Sequence, residues 1–316
     1  DESSVVTADT VAYAQWMAQP SAPANLTSSA GDSEVTLSWD AATGATSYAV
    51  YQYEGTAAPA DPSQWVLVQS NITSTTYKVT GLTNGTTYAF AVTAANAAGT
   101  SGYSEAATAT PGGKGTADDP IIITNPQKLY AVRQNLDAYY VLANDIDLSE
   151  SDYSDWTPIG RSTPFTGHFD GKGHKISGLK VRTDSITNDG LFGIIGPGGK
   201  VQNLVLSGVD IANTNISGTV GALAGILQGE AANIQVLGGT VTGASNVGGL
   251  VGEASGGAVI TASCANVTVT GDEYGIGGLV GYLKDASITA SCSTGTVSGS
   301  SNVGGLAGII ENSKIT

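Results

Sequence analysis

The chain has 316 residues, of which 43 are glycine, 41% are hydrophobic and only 12% are Asp, Glu, Lys or Arg. This length predicts two folding units rather than one small domain, and the apolar content excludes a disordered chain. The glycines do not recur at every third position, which excludes collagen, and a net charge of −15 makes nucleic acid a poor partner.

No apolar run is long enough to span a membrane, and the sequence opens on Asp1 and Glu2 rather than on the basic head of a signal peptide. Membrane insertion is therefore not predicted. Few lysines and abundant Ser, Thr and Gly favour an extracellular protein over a cytosolic one. Two cysteines are too few for a disulfide scaffold and do not assign a redox compartment.

The first folding unit is predicted over residues 21–111, after an N-terminal segment or linker at residues 1–20. Val35, Leu37 and Trp39 alternate with polar residues, which is typical of a strand with one buried face. Glycine-containing turn signals follow at the intervals of a sandwich. The pattern predicts an antiparallel all-β sandwich with Trp39 in its core.

A recognisable spacing runs through this unit: the tryptophan of the second strand, then Gly81, Leu82, Gly85, Thr86, Thr87, Tyr88, Val92, Ala94, Asn96, Gly99, Ser101 and Ser104. With this spacing, residues 22–111 resemble a fibronectin type III domain. The resemblance implies a tyrosine corner, in which the Tyr88 hydroxyl bonds to upstream backbone. It also implies the role of a spacer.

Four aromatic residues offer an alternative to a passive spacer. Tyr51, Tyr53, Trp65 and Tyr103 are candidates for an aromatic platform that binds sugar rings, because aromatic faces give flat, amphipathic contacts. The competing interpretation places these rings in the core of the sandwich.

The second unit follows a composition break that predicts a linker at residues 112–119. Beyond residue 185 a Gly-Leu-x-Gly pattern recurs five times, once as Ala-Leu-x-Gly, and its final glycines are 27 to 32 residues apart. Short runs such as Val267 and Val269, which alternate with Thr268 and Thr270, indicate strands. A period of this size predicts stacked repeats, here a parallel β-helix with rungs of about 28 residues.

The repeats resemble the GLUG motif of large bacterial surface and secreted proteins. Residues 144–171, with Asn144-Asp145-Ile146-Asp147-Leu148 and Trp156-Thr157-Pro158-Ile159-Gly160, resemble the usual lead-in to these repeats, so the resemblance covers residues 120–316. It implies a right-handed β-helix of an adhesin-like protein, or a region flanking an immunoglobulin-A-cleaving metallopeptidase. Neither His168 nor His174 begins a His-Glu-x-x-His motif, so the zinc site of such enzymes is not expected here.

The last residues align with residues 282–289 of the preceding repeat at a shift of 27, so the β-helix is expected to be truncated in mid-rung. An open end of stacked strands normally carries a cap. We therefore expect the sequence to be covalently part of a longer chain.

An acidic cluster is a candidate calcium site, because calcium binds carboxylate oxygens. Its members are Asp145, Asp147, Glu150, Asp152 and Asp155. The order of an EF-hand is absent, and Asp145 and Asp147 alternate with apolar neighbours as on the outer face of a strand. A solvated acidic face is the alternative, and apart from this calcium candidate no cofactor is expected.

A second cluster is the candidate for catalysis, because some β-helix enzymes cleave polysaccharides with side chains on one outer face. His168, Asp170 and His174, with Arg161 and Lys172, supply acidic, basic and cationic groups. The alternative is a structural first rung, which the resemblance implies for the Phe-x-Gly-x-Phe-Asp-Gly segment. A glycosidase also needs a second carboxylate at a defined distance from Asp170.

Cys264 and Cys292 are predicted at equivalent inward positions of successive rungs. Side chains in register point the same way, which separates their Cβ atoms slightly more than a disulfide prefers. Stacked buried thiols are therefore favoured over a bond.

Together these features predict an all-β, non-catalytic segment of a bacterial surface protein. The expected function is adhesion or display, with a host or cell-surface protein or polysaccharide as partner. The alternatives are an accessory carbohydrate-binding region of a polysaccharide-degrading enzyme, weak catalysis, or a purely structural stalk.

Overall fold

The computed structural model describes residues 17–149, 153 and 155–316. Most of the predicted N-terminal segment, residues 1–16, lies outside the described residues. The described chain divides after Gly112 into two compact units, each with its own apolar core. Among the described residues, no helix combines the length and the apolar character that crossing a membrane requires.

The first unit is a sandwich of two antiparallel sheets. One sheet has the strand order β1-β2-β5, and the other has the order β4-β3-β6-β7, with β8 paired to β6. A short 3₁₀ helix, η1, precedes β4 at Pro62–Gln64. The strands are β1 Thr27–Gly31, β2 Glu34–Ser38, β3 Ser47–Glu54, β4 Val66–Ile72, β5 Thr76–Thr80, β6 Tyr88–Asn96, β7 Gly99–Thr100 and β8 Ala107–Ala109.

The core of the sandwich is the one that the alternating pattern predicts. Val35 and Leu37 are fully buried on β2, and Trp39 follows them with 4% of its surface exposed. The Tyr88 hydroxyl accepts a hydrogen bond from the Thr83 amide at 3.2 Å, which is the tyrosine corner. The Trp39 prediction and the corner are confirmed.

The second unit begins with a segment that closes one end of its core. Strand β9, Ile121–Ile123, is followed by helix α1, Pro126–Ala131, and the 3₁₀ helix η2, Val132–Gln134. Asn125 caps α1 by accepting a bond from the Lys128 amide at 2.9 Å, and Pro126 occupies the first turn, where its missing N–H costs nothing. Leu129 and Val132 are fully buried. The sequence pattern predicted no helix here.

The predicted linker also contributes to this unit. Gly115 accepts a hydrogen bond from the Tyr139 amide at 3.0 Å and donates one to Asp119 at 2.9 Å. Residues 115–119 therefore form a turn that is bonded to the first strand of the solenoid.

The rest of the unit is a solenoid of about six turns over residues 139–315, and all its strand pairs are parallel. The strands are β10 Tyr139–Leu142, β11 Ile146–Asp147, β12 His168–Asp170, β13 Lys175–Ser177, β14 Lys180–Thr183, β15 Asn188–Asp189, β16 Phe192–Ile195, β17 Lys200–Asn213, β18 Thr219–Gly221, β19 Ala224–Leu227, β20 Glu230–Gly243, β21 Val247–Gly248, β22 Val251–Ala254, β23 Val259–Thr261, β24 Cys264–Gly277, β25 Val280–Lys284, β26 Ser287–Thr289, β27 Cys292–Ser293, β28 Val297–Gly304, β29 Ala307–Glu311 and β30 Lys314–Ile315.

Equivalent residues of successive turns form inward columns, which bury the apolar face that no single turn could bury alone. One column is Phe169, Val201, Ala231, Ile260 and Ile288. The offset between equivalent residues of successive turns varies, from 32 residues at the Asp170–Gln202 pair to 27 at the Thr289–Thr316 pair. A second parallel sheet is formed by the strands that contain the last residues of the Gly-Leu-x-Gly motifs, namely β16, β19, β22, β25 and β29.

The final glycine of each Gly-Leu-x-Gly segment lies against backbone of the preceding turn. A Cβ atom at Gly252 would lie 2.6 Å from the Val220 nitrogen, and one at Gly281 would lie 2.6 Å from the Val247 nitrogen. Real Cβ contacts are longer, so any side chain at these positions would push the turns apart. This close approach is the physical reason for the glycine in the motif.

The prediction for the two cysteines was wrong. Ala262 adopts a left-handed conformation with φ of 49°, which bends the chain and shifts the inward positions by one residue, so that Ser263 is fully buried. Cys264 and Cys292 are instead half-buried on the outer side and form a disulfide with Cα atoms 4.6 Å apart. Outside a packed column, the two sulfur atoms are free to turn toward each other.

Candidate functional site

Four aromatic side chains gather on the outside of the larger sheet of the sandwich. We call Tyr51, Tyr53, Trp65 and Tyr103 the aromatic face. The ring centroids of Tyr51 and Tyr103 are 5.0 Å apart, those of Trp65 and Tyr103 5.7 Å, and those of Tyr53 and Trp65 6.5 Å. Alternation along β3 places Tyr51 and Tyr53 outward, because Tyr48 and Val50 point into the core.

The residues beneath the aromatic face are small. Ala89 and Ala91 on β6 lie directly across from Tyr53 and Tyr51, and both are fully buried although they point away from the core of the sandwich. The rings therefore cover the sheet. Burial raises the pKa of the Tyr103 phenol, with a further contribution from Tyr51, which favours the neutral hydroxyl.

The aromatic face is apolar at one margin and is not flat. Leu67 pairs with Tyr51 across the strands and is 52% exposed. The planes of Tyr51 and Tyr103 are 88° apart, whereas those of Trp65 and Tyr103 are only 36° apart. The last two rings alone approach the parallel arrangement that a sugar-stacking platform needs.

The structure places His168 and Asp170 in one cleft of about 230 Å³ on the outer side of the solenoid. They occupy alternate positions of β12 and flank the buried Phe169. The His168 ring stacks on that of Tyr139 at 4.3 Å with 15° between the planes. The sequence-based prediction did not include Tyr139. Tyr139 occupies the position equivalent to His168 in the preceding turn, and an alignment of the two turns could have identified it.

Asp170 uses its carboxylate to hold the turn that follows β12. It accepts hydrogen bonds from the Lys172 amide at 2.8 Å, from Gln202 at 2.9 Å and from Asn203 at 3.0 Å. Partial burial acts to raise the pKa of Asp170, but these hydrogen bonds outweigh it and hold the pKa below its usual range. A carboxylate that stays ionised and bonded in this way is a poor general acid.

His174 is not part of this cleft. It lies beyond the turn at residues 171–173, and its Nδ1 is 3.4 Å from the Asp145 carboxylate. Of the residues that line the cleft in the described part of the chain, Asp170 is the sole carboxylate. The geometry therefore offers no pair of acids of the kind that glycoside hydrolysis uses.

Two of the calcium candidates, Asp145 and Asp147, are engaged with protein groups. Asp145 accepts a bond from the Lys175 amide at 2.9 Å, and Asp147 accepts one from the Ser149 amide at 2.9 Å; these backbone bonds lower the pKa of both carboxyls. Asp155 is exposed, and Asp152 lies outside the described residues. Among the described residues, no three His, Cys, Asp or Glu side chains are grouped to hold a metal ion.

Asp189 is an unusual acid that the motif analysis missed. Its side chain is fully buried on β15, in a position that faces the core of the solenoid. A signal for it exists in the sequence, since the equivalent residues of the following turns are Val220, Val247, Ile276 and Val303. That signal is visible only after the repeats have been aligned in register.

Comparison with known proteins agrees with the division of the chain. Residues 21–110 match the family model "Fibronectin type III domain". The chain is 37% identical over 153 residues to halomucin of Haloquadratum walsbyi, covering 45% of this chain and 2% of that protein. It is 33% identical over 217 residues to an immunoglobulin A1 protease of Streptococcus pneumoniae, covering 63% and 10%.

A chitinase of Paenibacillus xylanexedens, Chi52, is 49% identical over 86 residues, which cover 26% of this chain and 14% of the chitinase. The chain thus spans between 2% and 14% of the length of these three relatives. Residues 21–110 are a fibronectin type III domain, followed by a β-solenoid of about six turns over residues 139–315.

Proposed function

We propose that this chain is a non-catalytic binding module of a larger extracellular bacterial protein and acts in adhesion or surface display. The fibronectin type III domain supplies the contact surface, and the solenoid supports it. The relatives favour this context: two are named for acting on an antibody and on chitin, which are both met outside the cell. A disulfide in so cysteine-poor a chain also fits an oxidising compartment.

The observation that carries the proposal is the aromatic face. Tyr103 is 37% exposed and the neighbouring Leu67 is 52% exposed, although most large apolar side chains of the sandwich are buried. Clustered, partly exposed aromatic residues are typical of binding surfaces, because they bury a large area at a small entropic cost. Their polar tips add hydrogen bonds to the contact.

The His168 cleft supports a non-catalytic function. Asp170 is committed to the fold, and His174 lies elsewhere. The cleft contains a stacked Tyr139–His168 pair beside a turn that is held by hydrogen bonds. This arrangement is that of a well-ordered surface rather than of a reacting centre.

The test is a binding screen of the whole chain on immobilised extracellular matrix proteins, mucins and polysaccharides, including chitin. The double variant Trp65→Ala, Tyr103→Ala should reduce binding to its target at least about tenfold, as loss of a central aromatic contact does. Tyr274→Ala is the matched control, because Tyr274 is 51% exposed and belongs to the solenoid rather than to the sandwich. Unchanged binding by the double variant would refute the assignment of this face.

A second candidate function is an accessory polysaccharide-binding region of a degrading enzyme. The 49% identity to part of a chitinase favours it. The same screen separates the two candidates: binding confined to insoluble polysaccharides supports the accessory function, whereas binding to matrix proteins or mucins supports adhesion.

A further inference from the structure

A column of outward side chains runs along the solenoid beside two adjoining clefts. Its members come from successive turns and are Tyr139, His168, Lys200, Glu230 and Val259. The first cleft is the His168 cleft of about 230 Å³, and the second has a volume of about 280 Å³. His168 and Lys200 line both clefts, so the two form one groove, which we call the axial groove.

Several polar groups in the axial groove are accessible and unused. The Tyr139 hydroxyl, the ring nitrogens of His168 and the side-chain amide of Gln228 have no hydrogen-bond partner among the described residues, and none of these atoms is buried. The three side chains are half-buried and line the groove. Between them they can donate and accept hydrogen bonds. A ligand can therefore reach them without displacing a protein partner.

The charged groups of the axial groove are paired with one another. The Lys172 ammonium lies 3.2 Å from the Asp170 carboxylate, and the Lys200 ammonium lies 3.0 Å from that of Glu230. These are the four Lys, Arg, Asp and Glu side chains that line the two clefts in the described part of the chain. Because each charge already has its opposite beside it, the groove favours a neutral ligand over an anion or a cation.

The backbone beside the axial groove is not available to a ligand. Strand β12 pairs with β10 and β17, and strand β20 pairs with β17 and β23, so neither has a free edge. An extended peptide is commonly held by such an edge. Four of the residues that line the second cleft are glycines, and Val259 is its sole apolar side chain among the described residues. The groove therefore suits a chain that binds through hydroxyl groups rather than through backbone amides and apolar side chains.

We propose that the axial groove binds a neutral polysaccharide chain that lies along the solenoid axis, with hydroxyl groups bonded to Tyr139, His168 and Gln228. Successive turns are about 4.8 Å apart, so the column from Tyr139 to Val259 spans roughly 19 Å. One turn is close to the length of one pyranose unit, and the groove thus holds about four units. This surface is a second one, on the solenoid, and binds whether or not the aromatic face does.

The experiment titrates the whole chain with neutral oligosaccharides of two to six units, made of β-linked glucose, N-acetylglucosamine, mannose or xylose, and follows binding by calorimetry. At least one tetrasaccharide should bind, with a dissociation constant on the order of 1 mM or below. Its affinity should rise with chain length up to about four units and then level off, because further units extend beyond the groove.

Two variants test the residues. His168→Ala and Gln228→Ala each remove hydrogen-bonding groups that face the groove, and each should weaken tetrasaccharide binding at least about fivefold. Gln235→Ala is the matched control: Gln235 is a half-buried glutamine on β20 that lines neither cleft, and its removal should leave binding unchanged. Thermal unfolding of each variant verifies that it is folded.

The Trp65→Ala, Tyr103→Ala variant should retain oligosaccharide binding, which separates the axial groove from the aromatic face. The proposal is overturned if no oligosaccharide binds, if affinity does not rise with chain length, if the folded His168→Ala and Gln228→Ala variants bind normally, or if the double variant loses oligosaccharide binding. A target captured through the aromatic face would remain in each of the first three cases, so the two surfaces fail separately.

Discussion

The buried carboxyl of Asp189 makes the stability of the solenoid depend on pH. Burial raises the pKa of this carboxyl above its usual value of 3.8. A raised pKa in the folded state means that the group stabilises the fold most fully below pH 3.8, and that this contribution is lost as the pH rises through the folded-state pKa. At neutral pH the ionised carboxylate, whose Oδ1 has no hydrogen-bond partner among the described residues, therefore opposes folding.

Asp189→Val should accordingly stabilise the chain at neutral pH, by about 1–3 kcal/mol. Asn213 and Thr187, which donate to Asp189, also donate to the Ser185 carbonyl, so both donors keep a hydrogen-bond acceptor after the substitution. The gain should shrink as the pH falls through the folded-state pKa and on below 3.8, where Asp189 is protonated in both states. Urea unfolding at several pH values measures this, with Asp272→Asn, which removes an exposed carboxylate, as control. A valine variant less stable than the parent at neutral pH would contradict it.

Alternation along a strand predicts some of the candidate-site residues but not others. It places His168 and Asp170 on the same face of β12, as the structure does. It fails beyond a residue with a positive φ: Lys172 at 52° separates His174 from the cleft, and Ala262 at 49° moves Cys264 to the outer side. Lysine and alanine give no sequence signal for this conformation, which normally favours glycine or asparagine.

Among the elements, the turn-to-turn contacts of the solenoid depend on the last glycine of each motif. Gly252→Ala should lower the free energy of unfolding by about 3 kcal/mol or more. The new Cβ would lie 2.6 Å from the Val220 nitrogen, and a backbone atom cannot move away as a flexible side chain can. Gly256→Ala is the comparison: no atom lies within 4 Å of its Cβ, and its φ of 64° should cost about 1–2 kcal/mol. Thermal unfolding compares the two, and equal losses would argue against the steric account.

The disulfide joins two neighbouring turns and should contribute to the stability of the solenoid. It closes a loop over a sequence separation of 28 residues, for which restricting the unfolded chain gives about 3–4 kcal/mol. Reduction should lower the urea midpoint of the parent but leave that of Cys264→Ala, Cys292→Ala unchanged. If the parent has the same midpoint with and without reductant, the bond contributes nothing.

Long periodic elements are predictable from this sequence, whereas short ones are not. Five copies of one motif establish the stacked strands, because errors in one repeat are corrected by the others. Helix α1 has only six residues, too few to show a helical period, although Asn125 and Pro126 carry the signals of a helix start. Only the structure shows that Leu129, on this helix, is buried at the end of the solenoid core.

At the level of the whole molecule, the two units have separate cores and should unfold separately. Leu37 lies in the core of the sandwich and Ile260 in that of the solenoid, and both are fully buried. Leu37→Ala and Ile260→Ala should each cost about 2–5 kcal/mol in their own unit. Calorimetry of the full chain should show two transitions, with each variant shifting one of them. A single transition that both variants shift would show that the units unfold together.

The stacked turns also determine how the molecule responds to mechanical force. Tension on the carboxyl-terminal end of the described chain would peel the strands away turn by turn, and each turn of 27 or 28 residues would lengthen the chain by about 95 Å. The Cys264–Cys292 bond interrupts this peeling, since the residues between the two sulfur atoms cannot extend while the bond is intact. The bond therefore shortens by about one turn the length that the pulled end can release, because the force passes directly from Cys292 to Cys264.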